Sequence, residues 1–425
     1  MIILLMLIIF FALMLFGVPI AFSLGASALS AVLLLGYDPV VFVHKMANSL
    51  SSFSLIAVPL YVLAGNLCSE TGITKRLVRM CDSLVGHIPG GTGLVNVLAS
   101  LFFGGISGSA VADTSAIGGM LIPIMKEEGY DSEFSGGITM ASSTIGILIP
   151  PSIPLCLYGI CTETSIGAMF MAGFLPGIFV GFLQMIICYF ISKKRSYPCK
   201  KKATTKEIIF AIKDALWALG MPLIIFIGCG TGIVTATEAG VIAVVYSLLI
   251  GFFVYHELDV RRLPKVLLDS IITSSVALFI VGVASVISWI INIENIPAVL
   301  VDFLSTKVAS PFLIMLIINV ILFICGCFMD LVPIMLLFAP IFLPIAEQCG
   351  INAITFGIIM TVNLGIGLVT PPVGNCLFIA SEISKTPAIK LFKASLPFVM
   401  CNVLCFVLIH LIPGITLWLP HLFKY

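Results

Sequence analysis

Apolar runs of about the length of a membrane-spanning helix alternate with short polar segments along the whole chain. A spanning helix needs about 20 predominantly apolar residues. Two shorter runs, 2–16 and 20–36, open the chain on either side of Gly17-Val18-Pro19, and they predict either one long kinked helix or a tight helical hairpin. The other uninterrupted runs predict spans at residues 53–69, 168–192, 217–232, 236–255, 271–291 and 396–419.

Two segments are too long and too rich in small residues to be single spans. Residues 92–125 are rich in Gly, Ser and Ala and carry Asp113 in the middle. They predict a re-entrant hairpin of two half-length helices with its tip near 106–110. Irregular backbone at membrane depth is tolerated only where protein or a water-filled cavity satisfies it. Residues 312–346 predict a second hairpin with its tip near 326–330.

Two more spans are interrupted by Gly and Pro. The span predicted at 134–160 is broken at 142–152 by Gly146 and by Pro150-Pro151, and the span at 355–379 contains Pro371-Pro372. Proline removes a helical hydrogen bond and clashes with the preceding turn. Both spans are therefore expected to consist of two helical halves with free backbone carbonyls between them.

The hairpins and interrupted spans repeat at a fixed distance. The two Pro-Pro pairs lie 221 residues apart, the difference between positions 150 and 371. Gly and Pro have backbone requirements that other residues rarely meet, so shared positions indicate a shared backbone shape. The same displacement pairs Pro123 with Pro344, Ile124 with Ile345, Gly129 with Gly350, Ile145 with Ile366, Gly146 with Gly367, and Pro176 with Pro397.

The distribution of Lys and Arg favours an inverted repeat. Loop 193–206 is the most basic, and the positive-inside rule places it in the cytoplasm. Residues 294–310 are nearly free of Lys and Arg, with only Lys307, and are expected outside. Five crossings and one re-entrant hairpin per repeat invert the second half, whereas an even number would move 256–265 outside against its charge. The segments expected inside are 70–87, 126–133, 193–206, 256–265 and 384–393.

Two polar segments are predicted to lie at the membrane surface. Residues 37–52 predict an interfacial helix, and 70–87 is too polar to cross. Lys45, Arg76 and Arg79 are interpreted as contacts to lipid headgroups or to another subunit.

Composition supports a polytopic membrane protein and excludes several functional classes. Of 425 residues, 60% are hydrophobic and only 10% are charged, against about 25% charged in soluble domains. A net charge of +1 without a basic stripe gives no case for a nucleic-acid partner. The 13 cysteines are interpreted mostly as small hydrophobic residues. The sequence contains no HExxH, nucleophile elbow or P-loop, so we expect no enzyme and no ATP-driven step within the chain.

Paired breaks in two inverted repeats are a pointer to a transporter binding site. The freed carbonyls, with nearby hydroxyls and amides, suit a hard cation such as sodium, while half-helix N-termini attract an anion. Small residues also serve close helix packing, so each serine has that alternative. Asp113 and Asp330 are either ligands or structural caps. The neutral candidates are Ser107, Ser109, Ser142, Ser143, Thr144, Asn363, Thr370 and Asn375.

At these residues the chain resembles a known family. The matching stretches are 104–113 (GGISGSAVAD), 114–123, 142–151, 363–374 (NLGIGLVTPPVG) and 17–25 (GVPIAFSLG). They resemble the large membrane subunit of tripartite ATP-independent periplasmic (TRAP) transporters, and the resemblance covers nearly all 425 residues.

The resemblance implies sodium-coupled uptake of an organic acid across the bacterial or archaeal inner membrane. C4-dicarboxylates, sialic acid and related carboxylates are the implied solutes, and Na+ is the co-transported ion. The implied partners are membrane lipid, a separate small four-helix membrane subunit, and an extracytoplasmic substrate-binding protein that delivers the solute.

The resemblance also implies an all-α, elevator-type architecture with a scaffold and a mobile transport domain. The scaffold would comprise 1–91 and 216–311, each with an interfacial arm. The halves of the transport domain would be 92–192 and 312–425, and 193–215 would be a basic cytoplasmic linker.

Carried over by position, the resemblance implies two sodium sites and a solute site between the hairpin tips. No Arg lies in a tip or break to bind a carboxylate, which leaves the identity of the solute open. The first sodium site would use Ser107, Gly108, Ser109, Ile145, Gly146 and Pro150. The second would use Gly326, Met329, Asp330, Gly365, Gly367 and Thr370. The solute would contact Ser142, Ser143, Asn363, Asn375 and Asp113.

Two other functions fit the sequence less well. A stand-alone sodium–carboxylate symporter of related architecture would transport without a binding protein. A membrane scaffold or receptor would use the Gly-rich hairpins only for packing and would bind no sodium. Transport assays with and without a binding protein, and sodium-binding measurements, separate the three.

Overall fold

The computed structural model describes residues 2–295 and 310–425, and the described chain is helical without strands. The predicted outer loop at 294–310 falls almost wholly on residues that are not described. The helices, in chain order, are α1 Ile2–Leu15, α2 Ile20–Leu34, α3 Pro39–Leu50, α4 Ala57–Glu70, α5 Ile73–Val85, α6 Gly91–Ser107, α7 Ala110–Glu127, α8 Ser132–Ser143, α9 Ile153–Cys161, α10 Ile166–Arg195, α11 Thr205–Gly230, α12 Ala236–Leu249, α13 Leu263–Ile293, α14 Pro311–Phe328, α15 Leu331–Gln348, α16 Ala353–Leu368, α17 Asn375–Ser384, α18 Ala388–Leu411 and α19 Gly414–Leu422.

The opening pair is a helical hairpin. α1 and α2 pack against each other across a turn in which Gly17 has φ +82° and Pro19 precedes the first residue of α2. A positive φ is costly for residues with a Cβ, which explains glycine at this turn. Eight helices in the described part of the chain are long and apolar enough to cross a membrane.

Both predicted helical hairpins and both interrupted helices form, but the arms of the hairpins are 17 or 18 residues long and are not the half-length helices that were expected. The first hairpin is α6 and α7, with Gly108 and Ser109 at its tip, and the second is α14 and α15, with Met329 and Asp330 at its tip. The first interrupted helix is α8 and α9, separated by a 3₁₀ turn and the Pro-Pro pair, and the second is α16 and α17. We call residues 144–152 the first break and 369–374 the second break.

Several predicted boundaries differ from the structure. The final span begins at Ala388 instead of 396, ends at Leu411, and is followed by α19. The predicted linker 193–215 is helical at both ends, so only 196–204 connects α10 to α11. Thr204 caps the start of α11, and its side chain and Glu207 form a capping box, which is a local signal for a helix start.

The repeats are inverted. α10 and α18 occupy corresponding places in the two halves, and their contacts run in opposite directions. The Cys405 thiol lies 3.8 Å from the Pro176 carbonyl oxygen, whereas Gln184 Nε2 lies 3.4 Å from Asn402 Oδ1. The later residue on α10 thus meets the earlier residue on α18, which makes the two helices antiparallel.

A chain of ion pairs joins all five segments that were predicted to be cytoplasmic. It therefore places them at one end of the molecule, as an inverted repeat requires, and the positive-inside rule makes that end cytoplasmic. The opposite end is the outer end. The pairs are Glu70–Arg262, Arg76–Asp214, Arg76–Glu257, Asp82–Lys200, Glu128–Lys200, Asp131–Arg195 and Glu133–Lys390.

Arg76 forms two of these ion pairs, so its side chain contacts protein groups besides any lipid headgroup or other subunit. Its guanidinium donates to Glu257 Oε1 at 2.6 Å and to Asp214 Oδ1 at 3.2 Å, and lies 3.8 Å from the centre of the Tyr255 ring. Hydrogen bonds to charged groups contribute about 1.5–3 kcal/mol, so we expect Arg76→Ala to lower the free energy of unfolding by about that amount. Thermal unfolding in detergent measures this.

The control is Arg79→Ala. Arg79 is 66% exposed and lies 3.6 Å from the same Asp214 carboxylate, so its loss should cost less than about 1 kcal/mol. Equal destabilisation by the two substitutions would contradict this expectation.

Candidate functional site

The tip of the first hairpin lies directly on the first break. The Ile153 amide donates to the Gly108 carbonyl oxygen at 3.2 Å, so the start of α9 is bonded to the tip. Gly108 has φ +60°, and a Cβ there would collide with the Pro151 carbonyl oxygen. A Cβ on Gly104 would lie 2.5 Å from the Gly146 Cα. Glycine thus permits backbone to pack on backbone.

The second hairpin meets the second break in the same way. The Val373 and Gly374 amides donate to the Cys327 carbonyl oxygen at 3.0 and 3.3 Å. A Cβ on Gly367 would lie 2.6 Å from the Gly326 carbonyl carbon. Each half therefore contains one hairpin fastened by backbone contacts to one broken helix.

Asp330 corresponds by position to Ser109 and not to Asp113. The two residues are 221 apart, and each precedes the first residue of the second hairpin arm. Ser109 caps α7 through a long 3.4 Å contact from the Ala112 amide, whereas Asp330 Oδ1 accepts from Asn375 Nδ2 at 3.2 Å. Asp113 lies one turn inside α7, so the two carboxylates occupy different environments.

A cavity of about 810 Å³, which we call the central cavity, lies between the two tips. Ser109, Asp330 and Asn375 are polar residues of its wall. Five helices begin at the wall, because its lining includes the first residues of α2, α7, α9, α15 and α17. The N-terminus of a helix carries about half a positive charge, so the five ends together favour an anion in the cavity.

The residues predicted for the first sodium site surround the tip–break contact. Ser107 Oγ and both Asp113 carboxylate oxygens are buried without a hydrogen-bond partner. A Cβ added to Gly146 would lie 3.9 Å from the Asp113 Cβ and 3.8 Å from the Ser109 carbonyl oxygen. The Ile145 carbonyl already accepts from the Leu148 and Ile149 amides. Pro150 also belongs to this contact, because its carbonyl oxygen lies 3.3 Å from a Cβ position on Gly105.

The residues predicted for the second sodium site are more dispersed. Gly326 and Gly367 are in contact, and Met329 and Asp330 form the adjoining tip. The Thr370 hydroxyl donates to the Ile366 carbonyl oxygen at 2.7 Å. Gly365 instead faces the other repeat, since a Cβ there would lie 2.8 Å from Ile147 Cδ1.

Of the residues predicted to contact the solute, Asn375 lines the central cavity, while Ser142, Ser143, Asn363 and Asp113 are buried outside its lining. Ser142 and Asn363 are 221 apart and have equivalent bonds. Ser142 Oγ donates to Asn96 Oδ1 at 3.1 Å, and Asn363 Nδ2 donates to the Asn319 carbonyl oxygen at 2.9 Å. Both bonds tie an interrupted helix to the first arm of its own hairpin. The solute-contact role of these four residues stays a prediction.

One wall of the central cavity was missed from the sequence. Thr273, Ala277 and Ile280 of α13 line it, as do Pro19–Ala21 at the start of α2. α13 reads from sequence as an ordinary apolar span. The cavity-lining residues of α13 recur every three or four positions, which is the one signal in its sequence. Residues that face lipid recur at the same spacing, so the signal does not identify a cavity wall.

The donor set suits a hard monovalent cation better than a transition metal. The described residues contain no group of three or more His, Cys, Asp or Glu side chains that could hold a metal ion. The unpartnered buried oxygens are those of Ser107, Asp113 and Asn363, among others. Unwound carbonyls and helix ends coordinate sodium in transporters with broken helices.

Inverted repeats, paired hairpins and broken helices around a central cavity define a secondary transporter subunit. The chain matches the family described as "Tripartite ATP-independent periplasmic transporter, DctM component" over residues 7–415, and it belongs to that family. It is therefore a multi-pass protein of the bacterial inner membrane, in a family that works with a small membrane subunit and a substrate-binding protein.

Relatives named as TRAP large permeases agree with this assignment, and a solved structure shares the fold. The chain is 40% identical to "Uncharacterized protein YgiK" of Salmonella typhimurium, over 96% of this chain and 94% of that protein. It is 38% identical to the "Sialic acid TRAP transporter large permease protein SiaM" of Vibrio cholerae, over 96% of both. It is 37% identical to the "C4-dicarboxylate TRAP transporter large permease protein DctM" of Pseudomonas aeruginosa, over 94% of both. The YdaH transporter of Alcanivorax borkumensis shares the fold, with TM-score 0.59, 13% identity and coverage of 86% of this chain and 87% of that one.

Proposed function

We propose that the protein carries out sodium-coupled uptake of an organic acid anion. The observation that carries this proposal is the meeting of five helix N-termini at the central cavity. An anion there would be stabilised by dipoles that do not have to reorganise. The SiaM and DctM relatives are named for sialic acid and C4-dicarboxylates, which makes a carboxylate the solute class.

Sodium supplies the driving force in this proposal. One ion would lie where the first hairpin meets the first break, among the unpartnered oxygens of Ser107 and Asp113. A second would lie beside Asp330, whose carboxylate is also part of the cavity wall. An ion at each tip would offset the negative charge of these carboxylates and add attraction for the solute.

The mechanism proposed is an elevator in which both hairpins and both interrupted helices move as one body. Cross-repeat bonds support a single body: Asn402 Nδ2 donates to Thr144 Oγ1 at 2.9 Å, and Gln184 Nε2 donates to Asn402 Oδ1 at 3.4 Å. Residues 92–192 and 312–425 would form this transport domain, and 1–91 and 216–311 the scaffold. A substrate-binding protein would deliver the solute, and a separate small membrane subunit would extend the scaffold.

Uptake into proteoliposomes tests the proposal. The chain is reconstituted with its small subunit, and labelled succinate and sialate are offered with a loaded binding protein, with and without an inward sodium gradient. We expect uptake that requires both sodium and the binding protein. Uptake at the same rate without the binding protein would identify a stand-alone symporter. Uptake that ignores sodium would contradict the coupling.

A further inference from the structure

Two cavities lie between the central cavity and the outer end of the molecule. The nearer one, about 330 Å³, is lined by α3, α9, α13 and α15, and we call it the vestibule. The farther one, about 710 Å³, shares Ser49 and Ile160 with the vestibule and forms an outer cleft.

The vestibule lies directly outward of the central cavity because the two share three walls. α13 starts next to Arg262, at the cytoplasmic end. It lines the central cavity up to Ile280 and the vestibule from Val281 onward. On α9, Ile153 lines the central cavity and Ile160 lines the vestibule. On α15, Leu331 lines the central cavity and Leu336 lines the vestibule. A solute that moves from outside to the central cavity along these helices passes through the vestibule.

Lys45 is the one basic side chain that lines any of these three cavities in the part of the chain described. The other polar side chains of the vestibule are neutral, namely Ser49, Ser285, Ser288 and Asn292, with Trp289 beside them. Lys45 makes no ion pair with any residue in the described ranges. No carboxylate in those ranges therefore neutralises its charge.

Aromatic and backbone contacts hold Lys45 at this place. Its Nζ lies 5.4 Å from the centre of the Trp289 ring, and Trp289 is packed edge-on against Tyr37 at 5.1 Å between ring centres. The Ser285 hydroxyl contacts the Lys45 carbonyl oxygen at 3.4 Å. A Cβ on Gly282 would lie 2.8 Å from Met46 Cγ, so α3 rests closely on α13. A lysine that served only to reach lipid headgroups would not need these contacts.

We propose that the vestibule is an anion-receiving site in which Lys45 binds a carboxylate of the solute before it enters the central cavity. The hydroxyls and the amide around it provide hydrogen bonds to the same group. This inference rests on the proposed transport function, because it defines an outer station on the route of the solute. It also explains how a central cavity with no basic side chain in its described lining obtains anions.

Charged thiol reagents test the proposal without requiring transport. A Ser288→Cys variant places a thiol in the vestibule wall, and peptide mass spectrometry reports its modification separately from that of the native cysteines. The probes are the anionic sulfonatoethyl and the cationic trimethylammonioethyl methanethiosulfonates. We expect Lys45→Gln to lower the anionic-to-cationic rate ratio at position 288 about fivefold or more, as loss of one nearby charge implies. Lys45→Arg should restore the ratio.

The matched control is Lys424→Gln. Lys424 is exposed at the same outer end, where its neighbour Tyr425 bonds the Cys229 carbonyl at the end of α11, and it lines neither cavity. It should leave the ratio unchanged. An unchanged ratio in Lys45→Gln, or an equal fall in Lys424→Gln, would overturn the proposal.

Uptake separates this inference from the proposed function. In proteoliposomes, Lys45→Gln should raise the apparent KM for the labelled carboxylate about fivefold with little change in maximal rate. If Lys45→Gln lowers the rate ratio but the wild-type protein shows no sodium-driven uptake, the transport proposal is refuted and the anion site stands. Normal uptake kinetics in Lys45→Gln, with wild-type uptake intact, would refute the receiving role alone.

Discussion

Gly367→Ala is expected to abolish uptake. A Cβ at this position would lie 2.6 Å from the Gly326 carbonyl carbon and 2.8 Å from its Cα and oxygen. Every one of these atoms is backbone, so no flexible side chain can move aside. The second hairpin must then separate from the second break, which displaces the Val373–Cys327 hydrogen bond and, next to it, Asp330.

The expected size of the loss of uptake follows from how strongly the rate depends on the positions of the groups in a functional site. Overpacking a tight contact costs about 1–3 kcal/mol of stability, and a displacement of about 1 Å in a functional site can cost 100-fold in rate. We therefore expect sodium-dependent uptake to fall about 100-fold and the unfolding temperature to fall as well. Uptake by reconstituted protein and thermal unfolding of the same preparation measure the two effects.

Gly119→Ala is the control for a glycine within a helix. Gly119 lies in α7, and a Cβ there would meet no atom within 4 Å. Alanine is more favourable than glycine in a helix by about 1 kcal/mol, so this variant should transport normally and be at least as stable. Normal uptake by Gly367→Ala would show that the hairpin and break need no close contact.

The elements could be predicted from the sequence because Gly and Pro act on the backbone locally. The first tip was expected near 106–110 and lies at Gly108 and Ser109, and the breaks fall at the two Pro-Pro pairs. A left-handed turn or a missing amide affects the residues beside it. Such features are therefore visible without knowledge of the tertiary fold.

Helix ends were harder to predict, because the length of an apolar run reflects the thickness of the hydrocarbon layer and not the length of the helix. The last span was expected from 396, but α18 starts at Ala388 and carries Lys390 and Lys393 in its first two turns. At the cytoplasmic end, Lys390 lies 3.9 Å from Glu133. A helix that continues into water past the hydrocarbon changes its composition without ending.

The roles of individual polar residues depend on contacts between segments far apart in sequence. Ser142 bonds Asn96, and Lys45 lies over Trp289, 244 positions later in the chain (289 minus 45). Neither partner can be identified from local spacing. The correspondence of Asp330 with Ser109 was available from the 221-residue displacement, but considering Asp330 together with Asp113, as two carboxylates that are either ligands or caps, obscured it.

Asp330→Asn is expected to stop sodium-dependent uptake without unfolding the protein. Asp330 precedes α15 but its side chain makes no capping hydrogen bond, and its Oδ1 accepts from Asn375 at the wall of the central cavity. Asparagine has the same shape, can keep a bond to Asn375 and is as good a residue before a helix. The substitution therefore removes the charge and little else.

The loss of this charge should have a large effect on uptake if the carboxylate neutralises a bound sodium ion. Removing one partner of a buried charge pair costs about 2–5 kcal/mol, so uptake at a fixed sodium concentration should fall about 100-fold. The sodium concentration for half-maximal uptake should rise, while the unfolding temperature stays close to that of the wild type. Ser109→Ala, at the corresponding position of the first repeat, removes no charge and should have a much smaller effect. If Asp330→Asn took up the solute with wild-type sodium dependence, Asp330 would be a structural residue. The inverted repeats would then have to bind sodium through neutral oxygens alone at the second tip.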